Sequence, residues 1–228
     1  MTAHDAPPPR ATVGAVIFDM DGVIIDSEEH WDRARLAVVA EFGGHYGSGV
    51  AADVMGMSPP EWARYLHDTV GIPLEPAIIE REVVRHLRAD YERERPFFPG
   101  AIEAVRAISR RWPTGLASSS GRDLIDLVVA LAGLGDAFRV TVSGAEVRRG
   151  KPAPDVYLKA AELLGADPRA CVAVEDSSNG IRAGKNAGMR VIAIPTLAFP
   201  PAADALALAD LTLQAIVELT PAVFDRLR

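Results

Sequence analysis

The sequence predicts an α/β protein, a doubly wound parallel sheet with a small α-helical domain inserted into it. Short apolar runs rich in β-branched residues recur along the chain, and such runs are typical of buried parallel strands. In its second half these runs alternate with helical patterns of about 10 to 15 residues, which indicates right-handed crossovers. The interval 28–96 has no strand pattern but several amphipathic helical ones, which indicates an inserted helical domain.

The predicted elements divide the chain into a core and an insertion. Residues 1–12, with three consecutive prolines and little apolar content, are expected to form a flexible tail. The core domain is expected to comprise residues 13–27 and 97–228, and the inserted domain residues 28–96. Core strands are predicted at 13–18, 114–117, 139–142, 171–174 and 190–194, and core helices at 123–131, 154–164 and 178–187.

The inserted domain is predicted from three helical patterns, over residues 28–42, 59–70 and 76–95. Trp31 in the first pattern and Val83 in the third belong to the apolar residues available for a buried face. Mixed charges along the third pattern are typical of a solvated helix face. The segment 93–100 is expected to be the linker that returns the chain to the core.

The composition excludes several classes of protein. A chain of 228 residues is long enough to bury a core, and Cys171, its only cysteine, cannot form an intrachain disulfide, so a reducing compartment, the cytoplasm, is expected. The net charge of −7 argues against nucleic acid as a partner, because phosphate backbones are bound by clustered Lys and Arg. Prolines interrupt the longest apolar stretch, residues 191–209, which argues against a membrane span. Nothing in the sequence requires more than a monomer, so a monomer is expected.

Polar side chains follow the predicted strands at the points where the strands end. In chain order these residues are Asp19 and Asp21, Ser118 and Ser119, Lys151, and Glu175 and Asp176. Ligands of doubly wound sheets bind beyond the carboxyl ends of the strands, so these side chains are expected to form one site.

The residue types of this site indicate phosphoryl transfer. Clustered carboxylates repel one another unless a cation lies between them, and oxygen ligands without clustered His or Cys suit Mg²⁺. A hydroxyl at Ser118 and an ammonium at Lys151 supply hydrogen bonds and positive charge for a phosphoryl group. Asp19 and Asp21 face the same side of an extended segment, so one carboxyl can act as nucleophile and the other as proton donor.

Taken singly, most of these residues also have structural explanations. Asp176 and Ser177 are good N-cap residues for the helix expected to follow them, and Ser118 can belong to a polar loop. Lys151 can be an exposed turn residue. The hardest residues to explain structurally are Asp19 and Asp21, because two carboxylates directly after a buried strand have little structural motive.

The four segments together resemble the motifs of the haloacid dehalogenase (HAD) superfamily, in its branch of helical-cap phosphatases and β-phosphoglucomutase-like proteins. The first motif is matched by Asp19-Met20-Asp21-Gly22-Val23, the second by Ser118, the third by Lys151 in Gly-Lys-Pro-Ala-Pro-Asp, and the fourth by Glu175-Asp176-Ser177. The resemblance covers essentially the whole chain after the tail. It implies that the sheet is a Rossmann-like HAD core and that the insertion is its cap domain.

The resemblance also implies a role for each of these residues. It implies that Asp19 attacks phosphorus and that Asp21 acts as general acid and then as general base. It implies further that Ser118 and Lys151 hold the transferred phosphoryl group. The implied Mg²⁺ ligands are Asp19, the main-chain carbonyl of Asp21, Asp176 and, in or next to the coordination shell, Glu175.

Two other chemistries of the superfamily are disfavoured by the sequence. The resemblance implies that dehalogenases lack the second aspartate, so Asp21 argues against dehalogenation. It implies that phosphonate hydrolysis in a related branch needs a cap lysine, and the interval 28–96 contains no lysine.

The mutase alternative is harder to separate from the phosphatase. By the resemblance, β-phosphoglucomutases carry a histidine where this chain has Trp31, and basic residues in a cap loop where it has Met55 and Pro59. The segment 26–34 is instead similar to the start of the cap in bacterial sugar phosphatases that include 2-deoxyglucose-6-phosphatase.

The sequence therefore favours a Mg²⁺-dependent phosphatase that hydrolyses small phosphate monoesters, chiefly sugar phosphates, through an aspartyl-phosphate intermediate. A β-phosphoglucomutase-type phosphomutase is the alternative. A non-catalytic protein that keeps the fold is a third hypothesis, which the intact set of motif residues disfavours.

Overall fold

The computed structural model describes residues 13–54, 57–197 and 199–227. The predicted tail, residues 1–12, and the cap-loop position Met55 lie outside the described residues. The strands are β1 (Ala15–Phe18), β2 (Thr114–Ser118), β3 (Val140–Ser143), β4 (Cys171–Glu175), β5 (Arg190–Ala193) and β6 (Leu211–Thr212). The α-helices are α1 (Glu28–Phe42), α2 (Val50–Val54), α3 (Pro59–Tyr65), α4 (Pro76–Glu94), α5 (Ala101–Ser109), α6 (Arg122–Ala132), α7 (Asp155–Leu164), α8 (Ser178–Asn186) and α9 (Ala203–Leu206).

The six strands form one parallel sheet in the order β3-β2-β1-β4-β5-β6. Phe18 at the end of β1 lies opposite Leu116 of β2 on one side and Val174 of β4 on the other. The chain winds outward from β1 in both directions, so the sheet is doubly wound and its order reverses beside β1. The predicted α/β fold class is confirmed.

Each face of the sheet is covered by its own helices. Successive strand residues point to opposite faces, so Val16 and Phe18 pack in the cluster that contains α5 and α6. Ala15 and Ile17 pack in a second cluster with α7 and α8. β1 is therefore buried on both faces, and the residues that follow it emerge at the carboxyl edge of the sheet.

The helices between β1 and α5 form the inserted part of the structure. α1, α3 and α4 bury apolar side chains against one another, in a cluster continuous with that of α5 and α6. The two connecting segments run side by side, because Asp26 N–H donates to Pro96 O at 2.7 Å and Phe98 N–H donates to Ile24 O at 3.0 Å. We propose that residues 28–96 are a cap domain carried on these two segments.

One predicted helix of the insertion takes a different form in the structure. The pattern over 59–70 forms an α-helix only as far as Tyr65 and continues as a π-helical turn, Leu66–Val70. Gly71 N–H closes this turn by donating to Leu66 O, a hydrogen bond five residues long. None of the described helices combines the length and the apolar character that crossing a lipid bilayer requires.

Among the described α-helices and strands of the core, three were not predicted. The buried residues of α5 follow helical spacing, at Ala101, Ala104, Val105 and Ile108. This helix was therefore recognisable from the sequence but was not predicted. β6 has only two residues and α9 only four, so neither is long enough to show a period. The same holds for α2 in the insertion, with five residues.

Candidate active site

All seven side chains predicted to form the site lie at the carboxyl edge of the sheet. Asp19 and Asp21 follow β1, Ser118 and Ser119 stand at the end of β2, Lys151 precedes α7, and Glu175 and Asp176 stand at the end of β4. They border a cavity of about 340 Å³ between the core and the helical insertion. Asp19, Asp21, Ser119, Lys151 and Asp176 line this cavity, whereas Ser118 and Glu175 are fully buried behind its wall.

Asp19 is a buried carboxyl that faces a single cation. Its Oδ1 lies 2.9 Å from Lys151 Nζ, an ion pair without the angular geometry of a hydrogen bond. Burial raises the pKa of Asp19 to about 7, with Glu175 and Asp21 adding repulsion and Lys151 opposing the rise. Additional positive charge near Asp19 would therefore favour its ionised form.

Lys151 is held between two carboxylates. Its Nζ donates a hydrogen bond to Glu175 Oε1 at 2.6 Å and lies 5.1 Å from the centre of the Tyr157 ring. Burial lowers the pKa of Lys151, but Asp19 and Glu175 outweigh this effect and hold the pKa above its ordinary value. The lysine is therefore a fixed positive charge next to Asp19 at the cavity wall.

Glu175 is the group that fixes this lysine in place. Its Oε1 also accepts a hydrogen bond from Tyr157 Oη at 2.8 Å. Its Oε2 accepts hydrogen bonds from the N–H groups of Asp176 and Ser177, at 3.1 and 3.2 Å, and from Ser177 Oγ at 3.1 Å. Both oxygens are therefore engaged with donors of the protein itself.

The start of α8 leaves room for this carboxylate. A Cβ atom at Gly180 would lie 1.8 Å from Glu175 Oε1, so a side chain at that position would displace the glutamate. Ser177 is the N-cap of α8 and accepts a hydrogen bond from Gly180 N–H at 3.1 Å. The structural explanation considered for Ser177 thus holds, and the same residue also contacts Glu175.

Asp21 is held from both sides of the cavity. On the core side its Oδ2 accepts hydrogen bonds from Ser120 Oγ at 2.8 Å and from Ser118 Oγ at 3.2 Å. On the side of the insertion, Trp31 Nε1 donates to Asp21 Oδ1 at 3.3 Å. Ser120 was not among the predicted site residues, although it follows them in the same serine run.

Asp176 completes an acidic cluster that fits a metal ion. Carboxylate oxygens of Asp19, Glu175 and Asp176 lie within 4.8 Å of one another. Burial and repulsion by Glu175 and Asp19 raise the pKa of Asp176 well above its ordinary value. A Cβ atom at Gly22, whose φ is +75°, would lie 2.0 Å from Asp176 Oδ2. Oxygen donors, mutual repulsion and close backbone approach are consistent with a hard divalent cation.

The wall contributed by the helical insertion is mainly apolar and aromatic. The residues of this wall are Ala52, Val54, Met57, Pro59, Trp31 and Trp62, together with the charged Glu28 and Arg35. The rings of Trp31 and Trp62 meet edge to face, with centroids 5.8 Å apart. Of the residues in this wall, the sequence analysis had considered Trp31 and Pro59. It missed most of the others, because the apolar pattern of a helix does not tell which of its residues face a cavity.

Comparisons with known proteins place this chain in a family. Residues 13–188 match the family model of haloacid dehalogenase-like hydrolases. The chain belongs to this family, as its four motifs indicated.

Two kinds of relative make the assignment more specific. The chain is 38% identical over 214 residues to hexitol phosphatase B of Escherichia coli K12, covering 90% of this chain and 94% of that protein. Among solved structures, CbbY of Rhodobacter sphaeroides in complex with phosphate has a TM-score of 0.83 and 27% identity, covering 94% of this chain and 100% of CbbY. The β-phosphoglucomutase of Clostridium difficile has a TM-score of 0.79 and 22% identity over 94% of this chain and 96% of its own, which shows the shared fold alone. The chain is a phosphoric monoester hydrolase that acts on small phosphorylated molecules.

Proposed function

We propose that this hydrolase removes phosphate from sugar phosphates, with Asp19 as the nucleophile and Mg²⁺ as the cofactor. The observation that carries the proposal is the contrast between the two aspartates. Asp19 faces the fixed positive charge of Lys151, whereas Asp21 is oriented by the neutral donors Ser120 and Trp31. The first environment suits a nucleophile that meets a phosphoryl group, and the second suits a group that exchanges protons.

The reaction divides into two displacements at phosphorus. In the first, an Asp19 carboxylate oxygen forms a bond to phosphorus while the bond to the ester oxygen breaks, and Asp21 gives its proton to that oxygen. In the second, a water oxygen attacks phosphorus and Asp21 takes its proton, which releases inorganic phosphate and free Asp19. Because Asp21 Oδ2 is held by Ser120 Oγ at 2.8 Å, the carboxyl keeps one orientation through both steps.

Two groups of the core are suited to hold the phosphoryl oxygens, and a third orders the loop beside them. Lys151 presents its ammonium at the cavity wall, and Ser119 lines the same cavity. Ser118 lies behind them, where its Oγ accepts a hydrogen bond from Ser120 N–H at 3.0 Å and donates to Asp21. We propose that Lys151 and Ser119 contact the phosphoryl group directly and that Ser118 acts through the loop it orders.

The acidic cluster is the proposed Mg²⁺ site. Asp19, the main-chain carbonyl of Asp21 and Asp176 would hold the ion, and Glu175 would stand in or next to this set. The five donors that already bond to Glu175 support a place next to the ion, where the glutamate orients Lys151. When bound, Mg²⁺ supplies positive charge that offsets the repulsion between the phosphate and these carboxylates.

Sugar phosphates are proposed as substrates because of the relatives and the cap wall. Hexitol phosphatase B, which is similar over nearly its whole length, acts on hexitol phosphates by its name. A β-phosphoglucomutase-type mutase is the alternative. The apolar Pro59 and the indole of Trp31 line the cavity where the resemblance led us to look for a basic residue and a histidine, which favours the hydrolase.

We further propose that the enzyme acts as a monomer in the cytoplasm, without a nucleic-acid or membrane partner. Cys171 is buried and unpaired, which suits a reducing compartment. The net charge of −7 favours small substrates over nucleic acid. Light scattering of the purified protein tests the monomer directly.

The experiment that tests the function is a phosphate-release assay on a panel of phosphate monoesters. The panel contains glucitol 6-phosphate, glucose 6-phosphate and other esters, each with Mg²⁺ and with a chelator. It also contains β-glucose 1-phosphate with and without glucose 1,6-bisphosphate. We expect phosphate release from sugar phosphates that requires Mg²⁺ and is insensitive to the bisphosphate.

Two results would contradict this proposal. Glucose 6-phosphate formed from β-glucose 1-phosphate only when the bisphosphate is present, without phosphate release, would identify a mutase. Phosphate release that persists in the chelator would remove Mg²⁺ from the mechanism.

A further inference from the structure

One charged side chain of the insertion stands out inside the cavity. Arg35 lies on α1, one turn after Trp31, and its residue surface is only 6% exposed. It lines the same cavity as Lys151, but on the opposite wall, since Lys151 belongs to the core and Arg35 to the helical insertion. A substrate whose phosphate lies at Lys151 therefore extends toward Arg35.

The guanidinium of Arg35 lies between two aromatic rings. Its central carbon is 5.2 Å from the centre of the Trp31 ring and 6.0 Å from that of Trp62. The Nε atom is fully buried and has no hydrogen-bond partner. The rings hold the guanidinium plane by cation–π contacts but do not balance its charge with an anion.

No carboxylate among the described residues pairs with Arg35 within 4.0 Å. The contrast is Arg33 on the same helix, whose Nη2 is 2.9 Å from Glu94 Oε2. Tyr46 lies near Arg35 but is a neutral hydroxyl that donates its own proton to Asp32 at 2.6 Å. Glu28 also lines the cavity, and burial together with Asp21 raises its pKa while Arg35 opposes the rise, but Glu28 and Arg35 form no ion pair within 4.0 Å.

A buried cation without a paired anion is costly unless a ligand supplies that anion. Removing a charge from water is unfavourable, and a paired carboxylate or phosphate offsets the loss through short, charge-assisted hydrogen bonds. The planar fork of a guanidinium fits two oxygens of one carboxylate or phosphate, whereas a neutral hydroxyl offers one oxygen. The position of Arg35 thus favours a substrate with an anionic group opposite its phosphate ester.

We propose that Arg35 is a specificity residue that selects phosphate monoesters whose leaving group carries a second anionic group, a carboxylate or a phosphate. The inference rests on the proposed function, because it assumes that the ester phosphate binds at Lys151. It narrows the substrates from sugar phosphates in general to those with an acidic far end, such as the phosphate esters of sugar acids.

The test compares substrates that differ mainly at the end opposite the ester. Glucitol 6-phosphate ends in a neutral hydroxymethyl group, gluconate 6-phosphate ends in a carboxylate, and glucitol 1,6-bisphosphate ends in a second phosphate. We expect wild-type kcat/KM to be about tenfold or more higher for at least one acidic ester than for the neutral one, the factor expected of a charged hydrogen-bonded pair. The two acidic esters distinguish a carboxylate site from a phosphate site.

Variants separate the side chain from the general charge of the insertion. Arg35→Gln should bring the ratio of acidic to neutral kcat/KM close to one, mainly by raising KM for the acidic ester. Arg33→Gln removes the same charge from the outer side of α1 and should leave the ratio as in the wild type. Arg35→Lys keeps the charge but lacks the fork, so it should give an intermediate ratio.

These measurements test the role of Arg35 and the proposed function separately. A wild-type ratio near one, or a preference for the neutral ester, would overturn the role of Arg35 while leaving the phosphatase in place. A preference that survives in folded Arg35→Gln would do the same. If Arg35→Gln loses its cooperative thermal transition, the wild-type ratio and Arg35→Lys still decide the question. No release from any of the three esters would overturn the proposed sugar-phosphate function itself, and this inference with it.

Discussion

The two walls of the cavity are built in different ways. On the core wall, side chains follow the ends of strands and hold one another: Asp19 faces Lys151, and Lys151 bonds to Glu175. On the wall of the insertion, side chains project from helices and pack mainly through apolar and aromatic contacts, as Trp31 does edge to face with Trp62. One hydrogen bond crosses the cavity between the two walls, from Trp31 Nε1 to Asp21 Oδ1.

This difference indicates how the work of the enzyme is divided. A network of paired charges cannot lose one member without leaving another charge buried and unpaired, so the core wall tolerates little change. A wall of packed apolar side chains can change its shape with smaller losses. We therefore propose that the core carries out the chemistry and that the insertion selects the leaving group. Three substitutions test this division between the two walls.

The largest effect is expected for Asp19→Asn on the core wall. The amide cannot act as the nucleophile, so kcat should fall by roughly 10⁴-fold or more on every substrate, as for other removed nucleophiles. Phosphate release in the presence of Mg²⁺ measures the loss, and a thermal melt establishes that the protein is folded. Asp136→Asn, at an exposed position, is the matched control and should retain wild-type turnover. Near-normal kcat in folded Asp19→Asn protein would refute the nucleophile assignment.

A smaller effect, confined to metal binding, is expected for Asp176→Asn. Loss of a ligand oxygen should weaken Mg²⁺ binding by roughly tenfold to a hundredfold, because even groups that only support ligands are worth that much. The readout is the rise in melting temperature on adding Mg²⁺, which should shrink in the variant. Asp204→Asn, which removes an exposed carboxylate paired with Arg182, should keep the full shift. An undiminished shift in Asp176→Asn would place the ion elsewhere.

The same measurement has a defined pH dependence. The pKa of Asp19 rises from 3.8 to about 7 on folding. Between these two pH values the metal-free folded state therefore holds a proton on Asp19 that the unfolded chain has released. This carboxyl therefore contributes to stability at low pH, and the contribution is lost as the pH rises toward 7. Protons and Mg²⁺ compete for the same oxygens, so the stabilisation by Mg²⁺ should be larger at about pH 8 than at about pH 6.

The smallest effect is expected for Trp31→Phe, at the contact between the two walls. Phenylalanine keeps a ring next to Trp62 but lacks the N–H that donates to Asp21, a loss of about 0.5–1.5 kcal/mol. We expect kcat to fall roughly twofold to tenfold, and the factor should be the same for all substrates. Trp112→Phe, whose ring packs on Phe224 outside the cavity, is the control. A change in substrate preference without a change in kcat would give Trp31 a role in specificity instead.

The comparison of the walls also explains what could be predicted from the sequence. Five of the six strands and the position of the insertion follow from apolar patterns, because buried strands need continuous apolar runs. The polar residues at strand ends could be placed together because parallel strands deliver them to one edge. The separate roles of Ser118 and Ser119 could not be predicted from the sequence. Only the structure shows that Ser118 is buried and that Ser119 faces the cavity.

The insertion was harder to interpret from the sequence for a physical reason. The side of a helix that faces the cavity depends on how the helix is rotated against its neighbours, and the apolar pattern of α1 is satisfied by several rotations. The sequence therefore does not predict that Arg35 is buried, because an arginine in a helix is usually solvated. Only the packing of α1 against Trp62 shows that this one is buried.

Two positions without side chains extend the catalytic requirements to the backbone. A Cβ atom at Gly22 would overlap a carboxylate oxygen of Asp176, and a Cβ atom at Gly180 would overlap one of Glu175. In a library of random substitutions screened for turnover, both glycines should be as intolerant as the aspartates, although neither has a group that can touch a substrate. Efforts to redesign the enzyme for new esters are therefore best confined to the insertion, with the two glycines treated as part of the catalytic apparatus.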